Sequence, residues 1–83
     1  MPTILSVDGY HVVIYTRDHP PPHVHVIGPN GSVVFNLNCP RGPMEVRTIA
    51  GKVPATSIRR IARLIEPEIA VLCAAWRKHH GNY

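Results

Sequence analysis

The hydrophobic pattern of this 83-residue chain changes its period once, and that change constrains the fold more than any other feature. Up to about residue 50, short runs of β-branched and apolar residues alternate with turn-forming glycine, proline and asparagine, which is typical of strands. From residue 56 onward the apolar residues recur at helical spacing and form one stripe, which consists of Ile58, Ile61, Leu64, Ile65, Ile69, Leu72, Cys73 and Trp76. The sequence therefore predicts an α+β fold, with an antiparallel sheet of four or five strands packed on one face by a C-terminal helix.

Turn signals set the expected strand boundaries. Asp8-Gly9 predicts a tight hairpin because both positions tolerate positive φ, whereas Pro20-Pro21-Pro22 lacks N–H donors and predicts a stiff connector. The short loops between the runs make the sheet antiparallel. Strands are expected at residues 3–7, 10–16, 23–27, 32–38 and, as a short edge strand, 45–49.

A single domain over residues 1–83 is expected, because a chain of this length holds one core. The sheet part covers residues 1–50 and the C-terminal helix covers residues 56–80. Pro67 removes one backbone hydrogen bond from that helix and crowds the preceding turn, so the helix is expected to kink or split near Glu66.

The net charge of +4 is unevenly distributed along the chain. Basic and acidic side chains balance over residues 1–51, and residues 52–83 carry the whole excess. A basic segment predicts an acidic partner, and nucleic acid is the commonest one.

Arginines in the first turn of a helix oppose its dipole, which favours a functional role for them. The predicted nucleic-acid-binding patch consists of Lys52, Arg59, Arg60 and Arg63. The competing interpretation is an ordinary solvated helix face.

Several features narrow the class of protein. Apolar runs such as residues 12–15 are too short to cross a membrane, and the N-terminus does not resemble a signal peptide. A glycine-rich phosphate loop is absent, so a nucleotide-driven enzyme is not expected. Two cysteines are too few for a disulfide scaffold and predict reduced thiols, with Cys39 more accessible than Cys73. The expected location is therefore the cytoplasm.

The segment from Asp18 to His25 is the most unusual in the chain, and it reads DHPPPHVH. His23 and His25 lie two apart on a predicted strand, so their rings project from the same face, and they are expected to gather on the uncovered side of the sheet. The valines that alternate with them then face the core. His19 directly precedes the prolines, and the neighbouring Asp18 can orient an imidazole.

Three interpretations of this segment stay open. In the first, two of His19, His23 and His25 perform acid–base catalysis on a phosphodiester, as a histidine-dependent ribonuclease that needs no cofactor. Asp18 would then orient one of the rings. In the second, His23 and His25 bind a divalent metal such as zinc, and the third ligand comes from the set of His19, Asp18 and Cys39. In the third, the histidines make ordinary hydrogen bonds on a solvent-facing strand.

The chain resembles the small bacterial family called domain of unknown function 4160 over essentially its whole length. The resemblance lies in Met1-Pro2-Thr3-Ile4, Asp8-Gly9-Tyr10, Ile14-Tyr15, Asp18-His19-Pro-Pro-Pro-His23-Val24-His25-Val26, Ile58-Arg59-Arg60-Ile61 and Ala75-Trp76. It implies a single-domain protein encoded in a compact two-gene cassette, usually beside a member of the domain-of-unknown-function 2442 family. Such a pairing implies a toxin–antitoxin-like module or its regulator, and the resemblance assigns no role to the histidines.

These observations together predict a small basic cytoplasmic protein that is the toxin-like component of a two-gene module. It would bind or cleave nucleic acid, RNA in preference to DNA, with the histidine-rich strand and the arginine patch. The expected partner is a domain-of-unknown-function 2442-type protein or a second copy of the chain, since so small a core is marginal alone. The alternative is a non-catalytic protein–protein interaction or regulatory module with a weak metal site.

Overall fold

The computed structural model describes residues 3–81, which form a five-stranded sheet followed by a helical segment. The strands are β1 (Thr3–Val7), β2 (Tyr10–Val13), β3 (His23–Ile27), β4 (Gly31–Asn36) and β5 (Glu45–Gly51). They lie in the order β1-β2-β3-β4-β5, and every neighbouring pair is antiparallel. The predicted α+β class and antiparallel sheet are confirmed. The single domain over residues 1–83 stays a prediction, and its ends, residues 1–2 and 82–83, lie outside the described residues.

The C-terminal helical segment is divided at Pro67, as the sequence predicts. Helix α1 (Ala55–Ile65) and helix α2 (Ile69–His80) are separated by a 3₁₀ turn over Glu66–Glu68. Pro67 has no N–H to donate to the carbonyl four residues earlier, so the α-helical hydrogen bonds cannot continue through it. No helix within residues 3–81 has the length and apolar character needed to cross a bilayer.

The core lies between one face of the sheet and the two helices. Its fully buried strand residues include Val12, Val24, Val26, Val33 and Phe35, and its helical residues are Ile61, Ile65, Leu72, Cys73 and Trp76. The predicted helical stripe is therefore buried or, at Ile58 and Ile69, partly buried, except at Leu64, which is 45% exposed. At about 100° per residue, Leu64 lies about 60° around α1 from Ile61, at the edge of the buried stripe.

The two cysteines form a disulfide, so the prediction of reduced thiols is wrong for this structure. Cys39 lies in the loop after β4 and Cys73 lies on the buried face of α2, with a Cα–Cα distance of 5.8 Å. That separation falls within the range a disulfide can bridge. The bond joins the loop after β4 to α2. The two cysteines are 34 residues apart, and their spacing in the sequence does not indicate that they pair. Disulfides are rare in cytosolic proteins, and the cytoplasmic location stays a prediction.

The face of the sheet opposite the main core positions the candidate site. One cross-strand row on that face runs from Val13 through His25 and Val34 to Thr48 on β5. The row ends at the edge strand β5, where every residue is exposed. His25 therefore lies on the central strand β3, in a row that leads to the exposed edge strand.

Candidate functional site

Asp18, His23 and His25 converge at the point where the proline connector enters β3. Each residue offers one side-chain atom that could bind a metal ion, and these three atoms lie within 4.8 Å of one another. Asp18 belongs to a turn after β2, in which its N–H donates to Tyr15 O at 3.1 Å and its Oδ2 accepts from the Tyr15 N–H at 3.0 Å. These two hydrogen bonds fix the carboxylate from one side and leave Oδ1 directed at the histidines. We call this group of three side chains the Asp–His cluster.

Both histidines of the Asp–His cluster face the same carboxylate oxygen, Asp18 Oδ1. His25 Nε2 lies 3.1 Å from this oxygen and His23 Nε2 lies 3.5 Å from it. His23 Nδ1 lies 2.9 Å from Pro21 O. Because a carbonyl oxygen only accepts, His23 Nδ1 must carry hydrogen. In the neutral ring, Nε2 is then an acceptor that faces the carboxylate.

The two histidines differ in their surroundings, which corrects the expectation that both lie on the uncovered side. His25 is half-buried, and Tyr15 contacts it edge-on with 4.7 Å between ring centroids. His23 is only 5% exposed and lies 5.2 Å from the ring of Trp76, which in turn stacks on His80 at 4.0 Å. His23 is buried because it begins β3 at the end of the sheet, where α2 packs. The pattern of alternating residues alone could not show this contact.

A cleft of about 340 Å³ exposes the Asp–His cluster to solvent. Besides the three cluster residues, the cleft is lined by Arg17, His19, Val34, Arg47 and Thr48. Arg17 and Arg47 are exposed and line the same cleft as the imidazoles. The cleft therefore combines positive charge, which attracts anions, with groups that can bind a cation or transfer a proton.

Arg47 is a cleft residue that the sequence analysis missed. The β4–β5 register passes from Val34↔Thr48 to Phe35↔Val46, so Arg47 is the extra residue of a β-bulge. Bulges redirect a side chain and are frequent beside functional sites. A bulge depends on the pairing of two strands, and nothing in the residues around Arg47 indicates one. Arg17 was also missed, although its place next to Asp18 is a signal that could have pointed to it.

The predicted nucleic-acid-binding patch lies elsewhere. None of Lys52, Arg59, Arg60 and Arg63 lines the cleft. Lys52 borders a separate cavity with Gly51 and Pro54, and Arg63 borders another with Glu66 and Pro67. Arg60 Nε lies 3.5 Å from Asp8 Oδ2 in an exposed pair. The patch and the Asp–His cluster are therefore distinct surfaces.

Of the residues considered as a third metal ligand, the structure brings Asp18 to the two histidines. Cys39 is bonded to Cys73 and has no free thiol. His19 is exposed and lines the cleft, but its ring nitrogens are not among the three converging atoms. The sequence predicted a site made of His19, His23, His25 and Asp18. In the structure the last three converge, and His19 lines the same cleft without joining them.

Two buried polar atoms have no hydrogen-bond partner within the described residues, and both belong to neighbours of His23. They are Asn36 Oδ1 and Trp76 Nε1. Asn36 is the cross-strand partner of His23 on β4, and the Trp76 ring contacts the His23 ring.

The fold and the site define a small α+β domain with an Asp–His cluster at the base of a cationic cleft. The family described as Domain of unknown function (DUF4160) matches residues 9–77, and the chain belongs to that family. The match includes the whole Asp–His cluster and both cleft arginines, so the predicted resemblance is confirmed. No curated protein and no solved structure matches the chain. The pairing with a domain-of-unknown-function 2442 protein stays a prediction.

Proposed function

We propose that this protein is the toxin-like component of a two-protein module and that it binds and cleaves RNA in the bacterial cytoplasm. One observation carries the proposal: a single cleft holds the Asp–His cluster together with Arg17 and Arg47. Reaction at a phosphodiester needs cations for the phosphate and a group that activates the attacking oxygen. The cleft provides both kinds of group.

The two cleft arginines are suited to bind the phosphate. A guanidinium group presents a planar set of N–H donors that matches two phosphate oxygens. Arg17 comes from the β2–β3 loop and Arg47 from the β5 bulge, so they approach the cleft from different elements. A backbone phosphate held by either arginine would lie beside His25, which is the most exposed member of the Asp–His cluster.

The geometry of the Asp–His cluster favours activation of one oxygen over a two-histidine acid–base mechanism. In the latter, one ring removes a proton on one side of the phosphate and a second ring donates a proton on the other. Here both Nε2 atoms point at the same carboxylate oxygen. In RNA the 2′-hydroxyl is already positioned to attack phosphorus, so the imidazole of His25 would take its proton and water would protonate the leaving 5′-oxygen. This is the reason to favour RNA over DNA.

The patch formed by Lys52, Arg59, Arg60 and Arg63 is proposed to contribute long-range attraction. Its side chains are exposed, and exposed cations mainly accelerate association with a polyanion. Because the patch does not border the cleft, its removal should weaken RNA binding and leave the bond-breaking step intact.

Incubation of purified protein with end-labelled RNA tests the proposal. The unmodified chain should cleave, and His25→Ala and Asp18→Asn should each lower the cleavage rate at least about 100-fold. His11→Ala is the matched control, because His11 is an exposed strand histidine outside the cleft. Its Nδ1 is hydrogen-bonded to Ser6 Oγ at 3.2 Å. Absence of cleavage, or equal cleavage by His25→Ala and the unmodified chain, would refute the catalytic role.

A second candidate function is a non-catalytic interaction module, and the edge strand β5 favours it. Its whole length is exposed, and Val46 and Ile49 are 46% and 50% exposed. Open strand edges with apolar side chains are templates for pairing with another chain. The proposed occupant is the domain-of-unknown-function 2442-type partner, with a second copy of this chain as the other outcome. Size-exclusion chromatography with light scattering, with and without the co-expressed partner, distinguishes the two occupants.

A further inference from the structure

We infer that Asp18, His23 and His25 bind a divalent transition-metal ion such as Zn²⁺. This inference deepens the proposed function, since it rests on the same cleft and names the cofactor that would act there. The donor set is one carboxylate oxygen and two imidazole nitrogens. Three protein ligands of this type hold zinc or iron in catalytic sites and leave coordination positions open for water or substrate.

The distances within the Asp–His cluster fit a common ion. Ligand atoms placed about 2.0–2.1 Å from zinc in tetrahedral geometry lie about 3.3 Å from one another. The two Nε2 atoms are 3.1 and 3.5 Å from Asp18 Oδ1, and all three atoms lie within 4.8 Å. The separations of both Nε2 atoms from Asp18 Oδ1 therefore match the spacing of ligand atoms around one ion.

The hydrogen bonds around the Asp–His cluster provide a second and independent argument. His23 Nδ1 donates to Pro21 O, so the lone pair of Nε2 in the neutral ring faces an anionic oxygen. Two acceptors that face each other inside a protein are unfavourable unless a proton or a cation lies between them. A metal ion satisfies the carboxylate and both imidazoles together.

The residues around the Asp–His cluster already supply the supports that metal ligands need. Ligating histidines usually donate their second ring nitrogen to a carbonyl or carboxylate, and ligating carboxylates accept a further hydrogen bond. Pro21 O serves His23 in this way, and the Tyr15 N–H serves Asp18 Oδ2. Trp76 and Tyr15 pack against the two imidazole rings. When bound, such an ion would polarise a phosphoryl oxygen and convert bound water into a nucleophile.

Tryptophan fluorescence tests the inference at the site itself, because the chain has a single tryptophan and its ring centroid lies 5.2 Å from that of His23. Untagged protein, purified without a metal-affinity column and treated with chelator, is titrated with Co²⁺, a paramagnetic quencher. Saturable quenching is expected at about one equivalent, and excess Zn²⁺, which has a filled d shell, should reverse it. Isothermal titration with Zn²⁺ should give the same stoichiometry.

Variants assign the signal to the Asp–His cluster. Asp18→Asn and His25→Ala should each weaken Co²⁺ binding at least about 100-fold, whereas His11→Ala should leave it unchanged. Asp18→Asn keeps a side-chain oxygen for the Tyr15 N–H, and His25 is half-buried, so circular dichroism should report folded proteins. Absent quenching would overturn the inference, because no ion would then be bound near Trp76. Equal quenching in His25→Ala and the unmodified chain would also overturn it, because the ion would then lie elsewhere.

The same proteins separate this inference from the proposed function. If Co²⁺ binds at the Asp–His cluster and RNA stays intact, the metal site stands and the ribonuclease proposal fails. If RNA is cleaved equally in the presence of EDTA and Co²⁺ does not quench Trp76, the ribonuclease stands and the metal site fails. Cleavage that is lost with EDTA and restored by added Zn²⁺ supports both.

Discussion

Breaking the Cys39–Cys73 disulfide is expected to lower the free energy of unfolding by about 4 kcal/mol. The bond joins residues 34 apart in sequence. In the chain-entropy description, closing a loop of this length lowers the conformational entropy of the unfolded chain by about 12–13 cal/mol/K. This corresponds to about 4 kcal/mol of stability at room temperature. Small domains have a total stability of about 5–15 kcal/mol, so the bond supplies a large share. The melting temperature should fall by roughly 15–30 °C.

Urea unfolding, followed by the fluorescence of Trp76, measures this loss directly. The oxidised protein is compared with the same protein in reductant and with the double variant Cys39→Ala/Cys73→Ala. Reductant should shift the midpoint of the unmodified chain to near that of the variant, and it should leave the variant itself unchanged. A difference in unfolding free energy below about 1 kcal/mol between oxidised and reduced protein would refute the reasoning. Alkylation of thiols in intact cells would show which form exists in the compartment where the protein acts.

Three further perturbations test the core, the helix end and the cleft. Trp76→Ala should lower the free energy of unfolding by about 3–5 kcal/mol, because a fully buried aromatic side chain is removed; urea unfolding followed by circular dichroism measures it. Gly81→Ala should cost about 1 kcal/mol in the same assay, because Gly81 ends α2 at φ 90°, and an unchanged midpoint would contradict this. Arg47→Ala should weaken single-stranded RNA binding and lower the slope of log affinity against log salt by about 0.7. Equal RNA affinity for Arg47→Ala and the unmodified chain across a salt titration would exclude the cleft as the phosphate site.

Much of the fold follows from local patterns in the sequence. β3 occupies residues 23–27 as predicted, because prolines precede it and a Gly-Pro-Asn-Gly turn follows it. β2 is shorter than expected and ends at Val13, since the chain leaves the sheet for the turn that carries Asp18. The division of the helix was predictable from Pro67 alone, because a missing N–H donor acts within one turn.

The parts that the sequence did not reveal depend on contacts between distant segments. The disulfide depends on how α2 lies against the loop after β4, and the position of Arg47 depends on the register of β5 against β4. The burial of His23 depends on Trp76, which is 53 positions further along the chain. Spacing within the DHPPPHVH segment predicted which rings share a strand, but it could not show that Asp18 would approach both of them.

These distant contacts make α2 part of the candidate site, although α2 supplies none of its three converging side chains. Trp76 packs on His23, and His80 Nε2 donates to Tyr15 O at 3.3 Å. Tyr15 in turn holds Asp18 through its N–H and contacts the ring of His25. The disulfide at Cys73 lies one helical turn before Trp76 on the same buried face, so it restrains the part of α2 that supports His23. The position of the Asp–His cluster is therefore set by core packing, and the stability of the domain and the chemistry of its cleft depend on the same contacts.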